Sequence, residues 1–454
     1  MKLHIHLFVT VAWLIGLHEA TAQVTFAPAI SNNVAGPLPE YLLSVVAADI
    51  NGDGHVDLIC ANANGYNICV LTNNGSGIFG SNATYTVGRG PMQVIAADLN
   101  SVGKLDLITA NAGDNTLTVL TNNGIGVFGS NATLHVGNEP RSVTTADVRG
   151  TGKLDLISAN FYDNTLTVLT NNGSGMFGSN ATYNVGSLPT SVAAADINGD
   201  GKMDLICADY LSNTLTVLTN NGSGVFGYFA TLVVDNGPYS VVAADLNGDG
   251  KMDLVSANLG NTSYSYTLSV LTNSGNGVFG ASVNYTVGNS PNSVVAADVN
   301  GDRKLDLICA NQNPTQIGGQ WIYSLSVLTN NGSGGFVSAL SISTVPENGD
   351  DDPYSVTAAD VNGDGKMDLI YADKNNNNLW VLVNTSVYPT PPNLGISTYS
   401  NQPVVFFPAA AGANFVLQMT TNLASGNWVT VSNGISISGL IITNPPSNAF
   451  FRLH

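Results

Sequence analysis

The chain is poor in the groups that most reactions and most polyanion contacts require. Only 13 of its 454 residues are Lys or Arg, and charged residues of both signs make up 10%. With no basic patch to neutralise phosphates, nucleic acid is excluded as a partner. Beyond the first 22 residues the only histidines are His55, His135 and His454. No HExxH zinc motif, phosphate-binding loop, Ser-His-Asp or Cys-His arrangement stands out. Four cysteines are too few for a disulfide scaffold. Cys60, Cys207 and Cys309 share one repeat position and read as small core residues. If Asn64-Gly65 forms a two-residue turn, Cys69 falls opposite Cys60, and either a disulfide or two core thiols follows.

Long apolar runs are also missing. The longest, Leu7 to Leu17, is shorter than the ~20 residues a membrane helix needs. With Lys2 before it and Ala20-Thr21-Ala22 after it, residues 1–22 read as a secretory signal peptide. The expected mature protein starts near Gln23, has no membrane span, and is secreted or held at the cell surface.

Acidic residues are abundant, and they are ordered. Of 31 Asp and Glu, 19 sit at positions 1, 5 and 9 of seven near-copies of one loop, typified by DLNGDGKMD at 245–253. Oxygen side chains at 1, 3, 5 and 9, a carbonyl at 7 and glycines at 4 and 6 suit a chain curling around a hard cation such as Ca2+. The flanks VVAAD and MDLVSAN read as strands rather than the helices of an EF-hand. Five loops keep the full set: Asp49, Asn51, Asp53, His55 and Asp57; Asp196, Asn198, Asp200, Lys202 and Asp204; Asp245, Asn247, Asp249, Lys251 and Asp253; Asp298, Asn300, Asp302, Lys304 and Asp306; Asp360, Asn362, Asp364, Lys366 and Asp368. The position-7 residues His55, Lys202, Lys251, Lys304 and Lys366 enter through their carbonyls. Arg303 replaces a glycine and should strain its turn. In the second loop Val102 removes a ligand; in the third, Arg149 and Thr151 replace Asn and Asp, and Arg149 is expected to pair with Asp147 and Asp155. Four or five Ca2+ ions with a structural role are expected.

The first aspartates, Asp49, Asp98, Asp147, Asp196, Asp245, Asp298 and Asp360, recur at intervals of 49, 49, 49, 49, 53 and 62 residues. Each unit reads as four short strands, which at this period fits an all-β fold, a seven-bladed β-propeller. The seventh unit lacks its fourth strand, and the N-terminal VTFAPAISNN is an unpaired one, with Phe26 matching the corner residues Phe79, Phe128, Phe177, Phe226, Phe279 and Phe336. Residues 24–34 should therefore close the ring. The loop and the FG corner together resemble the FG-GAP/VCBS repeat family, best known from integrin alpha subunits. That resemblance covers about residues 24–385 and implies calcium on one face of a propeller and ligand binding on the other. The domain reading is a signal peptide at 1–22, the propeller at 23–385, a Pro-rich linker at 386–393 and a small β-module at 394–454. The last resembles a C-terminal module found on many secreted bacterial proteins.

Departures from the repeat fall on the face away from the acidic loops: NTSYSY with Tyr264 and Tyr266, QNPTQIGGQWIY with Trp321 and Tyr323, and PENGDDDPYS with Asp350 to Asp352 and Tyr354. Aromatics with polar neighbours suit a sugar- or protein-binding surface. The expected function is a monomeric binding or adhesion module for glycan or extracellular protein, not an enzyme. A polysaccharide lyase, using a Tyr or Asp350 to Asp352 with Arg141, and a purely structural extracellular component are the alternatives.

Overall fold

In the first unit, LLSVVAA, DLICAN, NICVLTN and FGSNATYT form four antiparallel strands: inner Leu42–Ala48, second Asp57–Asn62, third Asn67–Asn73 and outer Phe79–Thr86. The computed structural model describes residues 24–34, 41–260, 266–317, 320–344 and 351–388, and six short strands between 395 and 453. The expected signal peptide, Tyr264, Asp350 and most of the linker lie outside the described residues. No described residue is helical, and no helix among them is long and apolar enough to cross a membrane.

The same sheet is built seven times, and the last copy uses both ends of the ring. Its own strands are Pro353–Ala359, Asp368–Asp373 and Asn378–Leu382, and Ile30–Asn33 completes it by pairing with the third. Phe26 bridges Asn384, as the corner match implied. The structure thus bears out a seven-bladed propeller closed by its N-terminal strand.

The second strands read as unbroken apolar runs because both of their faces are covered. The first six residues of each are buried, from Asp57–Asn62 to Asp368–Asp373. Outer strands alternate instead, as in Phe226–Val233, since one face meets water. The core is divided into seven clusters, one per junction between blades. In one, Leu58, Cys60 and Cys69 of the first blade pack with Ile370, Ala372 and Leu379 of the seventh. Cys60 and Cys69 are directly opposite in register, but the turn between their strands spans four residues rather than two, and both side chains are buried.

Each inner strand carries a β-bulge one residue after its start, between Pro140 and Ser142 in the third blade and at the matching place in the other six. The bulged residue is left out of the ladder and re-aimed. Beyond residue 386 lies a separate unit. Gly395–Tyr399, Gln402–Phe406 and Gly439–Ile441 form one three-stranded sheet, and Val429–Ile435, Phe415–Thr420 and Phe450–Leu453 another.

Candidate sites on the two faces

The hairpin connection between inner and second strands carries the acidic loop, so all seven loops share one face. In the fourth, every acidic or amide side chain accepts at least one backbone N–H. Asp196 takes Gly199 and Asp200 on Oδ1 and Gly201 on Oδ2, at 2.8–3.1 Å. Asn198 Oδ1 accepts Asp200 N, and Asp200 Oδ1 accepts Lys202 N. The position-9 carboxylate does something different. Asp204 is fully buried and braces two strands, its Oδ2 accepting Ile197 N at 3.1 Å and its Oδ1 accepting Asn220 N at 2.8 Å. The same pair of bonds holds Asp106 in the second loop, which lacks the position-5 acid.

Sequence reasoning missed the asparagine that meets this carboxylate. Asn122 Nδ2 donates to Leu105 O at 3.0 Å and to Ile50 O of the preceding blade at 2.7 Å. Asn73, Asn171, Asn220, Asn273, Asn330 and Asn384 make the equivalent bond to the preceding blade at 2.7–2.8 Å. These seven amides link the loops into a closed circle. The repeated TNN was the available signal, but the acceptor lies a whole blade away.

Among the described residues no three Asp, Glu, His or Cys side chains converge closely enough to hold a metal as they stand. The acids nevertheless feel one another. Burial first, and then repulsion from Asp53 and Asp49, raises the Asp57 carboxyl above its ordinary range. Asp204, Asp253 and Asp368 are raised for the same reasons, each by the position-5 and position-1 acids of its own loop, and Asp306 is pushed up to about 7. The third loop relieves this itself. Arg149 lies on Asp155, Nη2 to Oδ1 at 2.8 Å and Nε to Oδ2 at 3.2 Å, and also donates to Asn171 O at 2.5 Å. The expected pairing with Asp155 is therefore present. Asp147 is held instead by Thr151 N and Gly152 N. Arg303 adopts φ +68°, the left-handed strain expected where the other loops have glycine. The position-7 lysines pair with the position-5 carboxylates of their own loops, Lys202 Nζ lying 3.1 Å from Asp200 Oδ2.

The opposite face carries the blade-to-blade and second-to-third connections. The sixth-blade insertion, expected to be a loop, is strand. Asp306–Ile317 and Gln320–Asn330 continue as one long hairpin, with Gln316 opposite Trp321. Tyr266 and Tyr323 are half-buried on the fifth and sixth blades. Tyr354 lies elsewhere, in a cavity on the propeller axis. Tyr266 and Tyr323 are not among the residues that line that cavity.

What gathers at the axis is the set of bulged residues. Leu43, Met92, Arg141, Thr190, Tyr239, Asn292 and Tyr354 ring a cavity of about 100 Å³ at the start of the inner strands. These strands are otherwise near-copies, so this column holds their variation. Beneath it, the next residue stitches neighbouring blades: Val94 N donates to Ser44 Oγ at 3.2 Å, Val143 N to Gln93 Oε1 at 2.7 Å, and Val192 N to Ser142 Oγ at 3.2 Å. Tyr239 and Tyr354 share a hydroxyl hydrogen bond of 2.7 Å, rings edge-on at 6.4 Å. The Arg141 guanidinium stacks 3.3 Å above the Phe161 ring and pairs with Glu139 at 2.6 Å.

Asp351 and Asp352, in the insertion that enters the seventh blade, are buried, 2% and 6% exposed. Burial, then the adjacent Asp373 carboxylate, pushes Asp351 up to about 8; burial, against the pull of Lys374, puts Asp352 at about 6. The unfolded chain releases the Asp351 proton near pH 4 and the folded chain near pH 8. Between these values folding takes up a proton, so stability falls as pH rises, by at most about 1.4 kcal/mol per unit. Asp351→Asn should therefore be more stable than wild type at pH 8 by roughly 2–4 kcal/mol and lose this slope in thermal melts from pH 5 to 8. Equal melting temperatures at pH 8 would show that Asp351 ionises without cost.

The model of the FG-GAP-like repeat matches six overlapping stretches, 49–109, 103–158, 147–207, 196–256, 245–309 and 298–371. No curated protein matches. Among solved structures, BBS1N in complex with ARL6DN aligns with TM-score 0.55 at 13% identity, over 80% of this chain and 97% of that one. A protein proposed to be a 6-phosphogluconolactonase from Bacteroides fragilis aligns with TM-score 0.52 at 14% identity, over 73% and 87%. An Agrocybe aegerita lectin that recognises non-reducing terminal N-acetylglucosamine aligns with TM-score 0.47 at 21% identity, over 71% and 81%. At these identities the first two likenesses show the fold alone.

Proposed function

Because the chain belongs to the FG-GAP-like repeat family, we propose that it is a secreted, calcium-stabilised binding module that takes a glycan through the face away from its acidic loops. The observation that carries this reading is where the repeats differ. The acidic-loop face keeps one hairpin in every blade, with substitutions in the second, third and sixth loops, while the bulged axial residues differ in nearly every blade and the sixth-blade hairpin is extended on the other face. Variation concentrated at the axis of a repeated scaffold is what a recognition surface requires.

Calcium in five loops would be held by the oxygens at positions 1, 3, 5 and 9 and the carbonyl at position 7. Its charge would relieve the repulsion that raises Asp57, Asp204, Asp253, Asp306 and Asp368. Arg149 supplies a built-in cation to the third loop, which supports the view that the others need one. At about 0.1–1 mM affinity, 10 mM Ca2+ would add about 1.4–2.7 kcal/mol per site. Chelator should accordingly lower the melting temperature by several degrees, and an identical melt with and without Ca2+ would remove the ion from this reading.

The enzymatic alternative has one supporting observation, a carboxyl at Asp351 held protonated at neutral pH. Its burial keeps it from reaching a polysaccharide. The test is incubation of the full chain, with Ca2+, against neutral and acidic polysaccharides, following retention and unsaturated-product absorbance together. Retention weakened by Trp321→Ala supports binding through this face. Product absorbance favours the lyase, and neither signal favours a structural component.

A further inference from the structure

We infer that the axial cavity is a site for a single neutral sugar ring, a reading that rests on the glycan-binding function above and assigns it a place. Three observations converge. In every blade the bulge that interrupts the inner strand falls at this cavity, and a bulge is how a strand re-aims a side chain. The residues so aimed form an amphipathic lining, with Leu43 and Met92 on one arc and Arg141, Tyr239, Asn292 and Tyr354 on the other. Asn292 is 4% exposed; its Nδ2 donates to Tyr354 O at 3.0 Å, while its Oδ1 has no partner.

A buried amide oxygen without a donor is destabilising, because it has given up its hydrogen bond to water for nothing. A hydroxyl entering the cavity would satisfy it. Among the described residues Arg141 hydrogen-bonds Glu139, through Nε and Nη2, which leaves Nη1 for an acceptor. Because Glu139 balances that charge, the cavity offers donors and acceptors without net attraction for an anion. Hydroxyls that both donate and accept, on a ring with an apolar face to lay against Met92 and the tyrosine edges, match this lining. At about 100 Å³ the cavity holds several waters, each needing about 10–15 Å³ by that measure. One pyranose ring is the scale of guest, so the ring is the end of a chain rather than its middle.

The probes are methyl glycosides of glucose, galactose, mannose and N-acetylglucosamine, with methyl glucuronoside and an acetylated, amidated Gly-Ser-Gly peptide beside them, each added to the full chain in saturation-transfer NMR. At least one neutral glycoside should show transfer, and Met92→Trp, which fills the cavity without removing a hydrogen bond, should reduce it at least tenfold with an unchanged melt. Asn292→Ala should weaken the same glycoside at least fivefold. Transfer to Met92→Trp equal to wild type, transfer to none of the neutral glycosides, or transfer to the peptide alone overturns the assignment. Polysaccharide retention that survives Met92→Trp but not Trp321→Ala would then show that the face still binds glycan while the axis does not.

Discussion

Removing residues 24–34 should lower the melting temperature of the propeller by roughly 12–20 °C, far more than an ordinary terminus of this length would. The segment is the outer strand of the seventh blade, with Ile30, Ser31, Asn32 and Asn33 in register with Val381, Trp380, Leu379 and Asn378. Ala27 N donates to Val383 O, Thr25 O accepts Thr385 N, and Thr25 N donates to Ser386 Oγ, each at 2.8–2.9 Å. Val24 and Val34, 6% and 1% exposed, enter the core clusters on either side of that blade. Two buried valines at about 1.5–3 kcal/mol each and several hydrogen bonds at about 0.5–1.5 kcal/mol each come to roughly 6–10 kcal/mol. That rivals the whole stability of many proteins, about 5–15 kcal/mol, and at about 2 °C per kcal/mol for a chain this large it gives the shift stated. Calorimetry on the truncated chain is the measurement. A melt within 3 °C of wild type would mean that the ring is held without its closing strand.

The second large effect separates the two roles of the acidic loops. Asp106→Ala should cost about 3–5 kcal/mol, and the loss should be the same in Ca2+ and in chelator. Asp106 is fully buried, and its removal leaves the amides of Leu99 and Asn122 without acceptors in a dry site, at about 1–3 kcal/mol each, beyond the cavity itself. Its loop has Val102 where an acid would be needed, so the change isolates the brace from the ion. Asp253→Ala, in a complete loop, should show the same loss and also a smaller gain on adding Ca2+. Denaturant melts of both variants in both conditions decide the matter. An Asp106→Ala protein within 1 kcal/mol of wild type would return position 9 to the ion alone.

Much of this architecture is legible in the residues, because three local signals agree. The spacing of Asp49 to Asp360 sets the number of blades, the FG corner marks the third turn of each, and the missing last strand together with Phe26 reveals the closure. These are properties of a single repeat or of its period. What is not legible depends on contacts between repeats or on burial. Asn122 looks like one polar residue in a polar turn until its acceptor, Ile50 O, is seen on the neighbouring blade. Asp351 and Asp352 look like surface charge because the run is acidic, yet packing buries them.

The axial residues lie between these cases. Aligning the seven copies shows a variable column from Leu43 to Tyr354, but only the bulge shows that the column points inward. The long insertions point outward, toward Trp321, which pairs with Gln316 in an extended hairpin whose register shifts between Asn311 and Thr315. Insertions are conspicuous in a sequence; a substitution at one re-aimed position is not.

The circle of seven asparagine amides has a mechanical consequence. Its bonds across the seam, Asn73 to Val361 O at 2.7 Å and Asn384 to Val299 O at 2.8 Å, are as short as those elsewhere. The seam is therefore a property of where the chain begins and ends, with no weak link in the hoop to match it. A tangential pull on any one blade is shared around the whole circumference, as in a barrel held by an iron band. The molecule should yield under load by losing the entire band at once rather than by peeling from its termini.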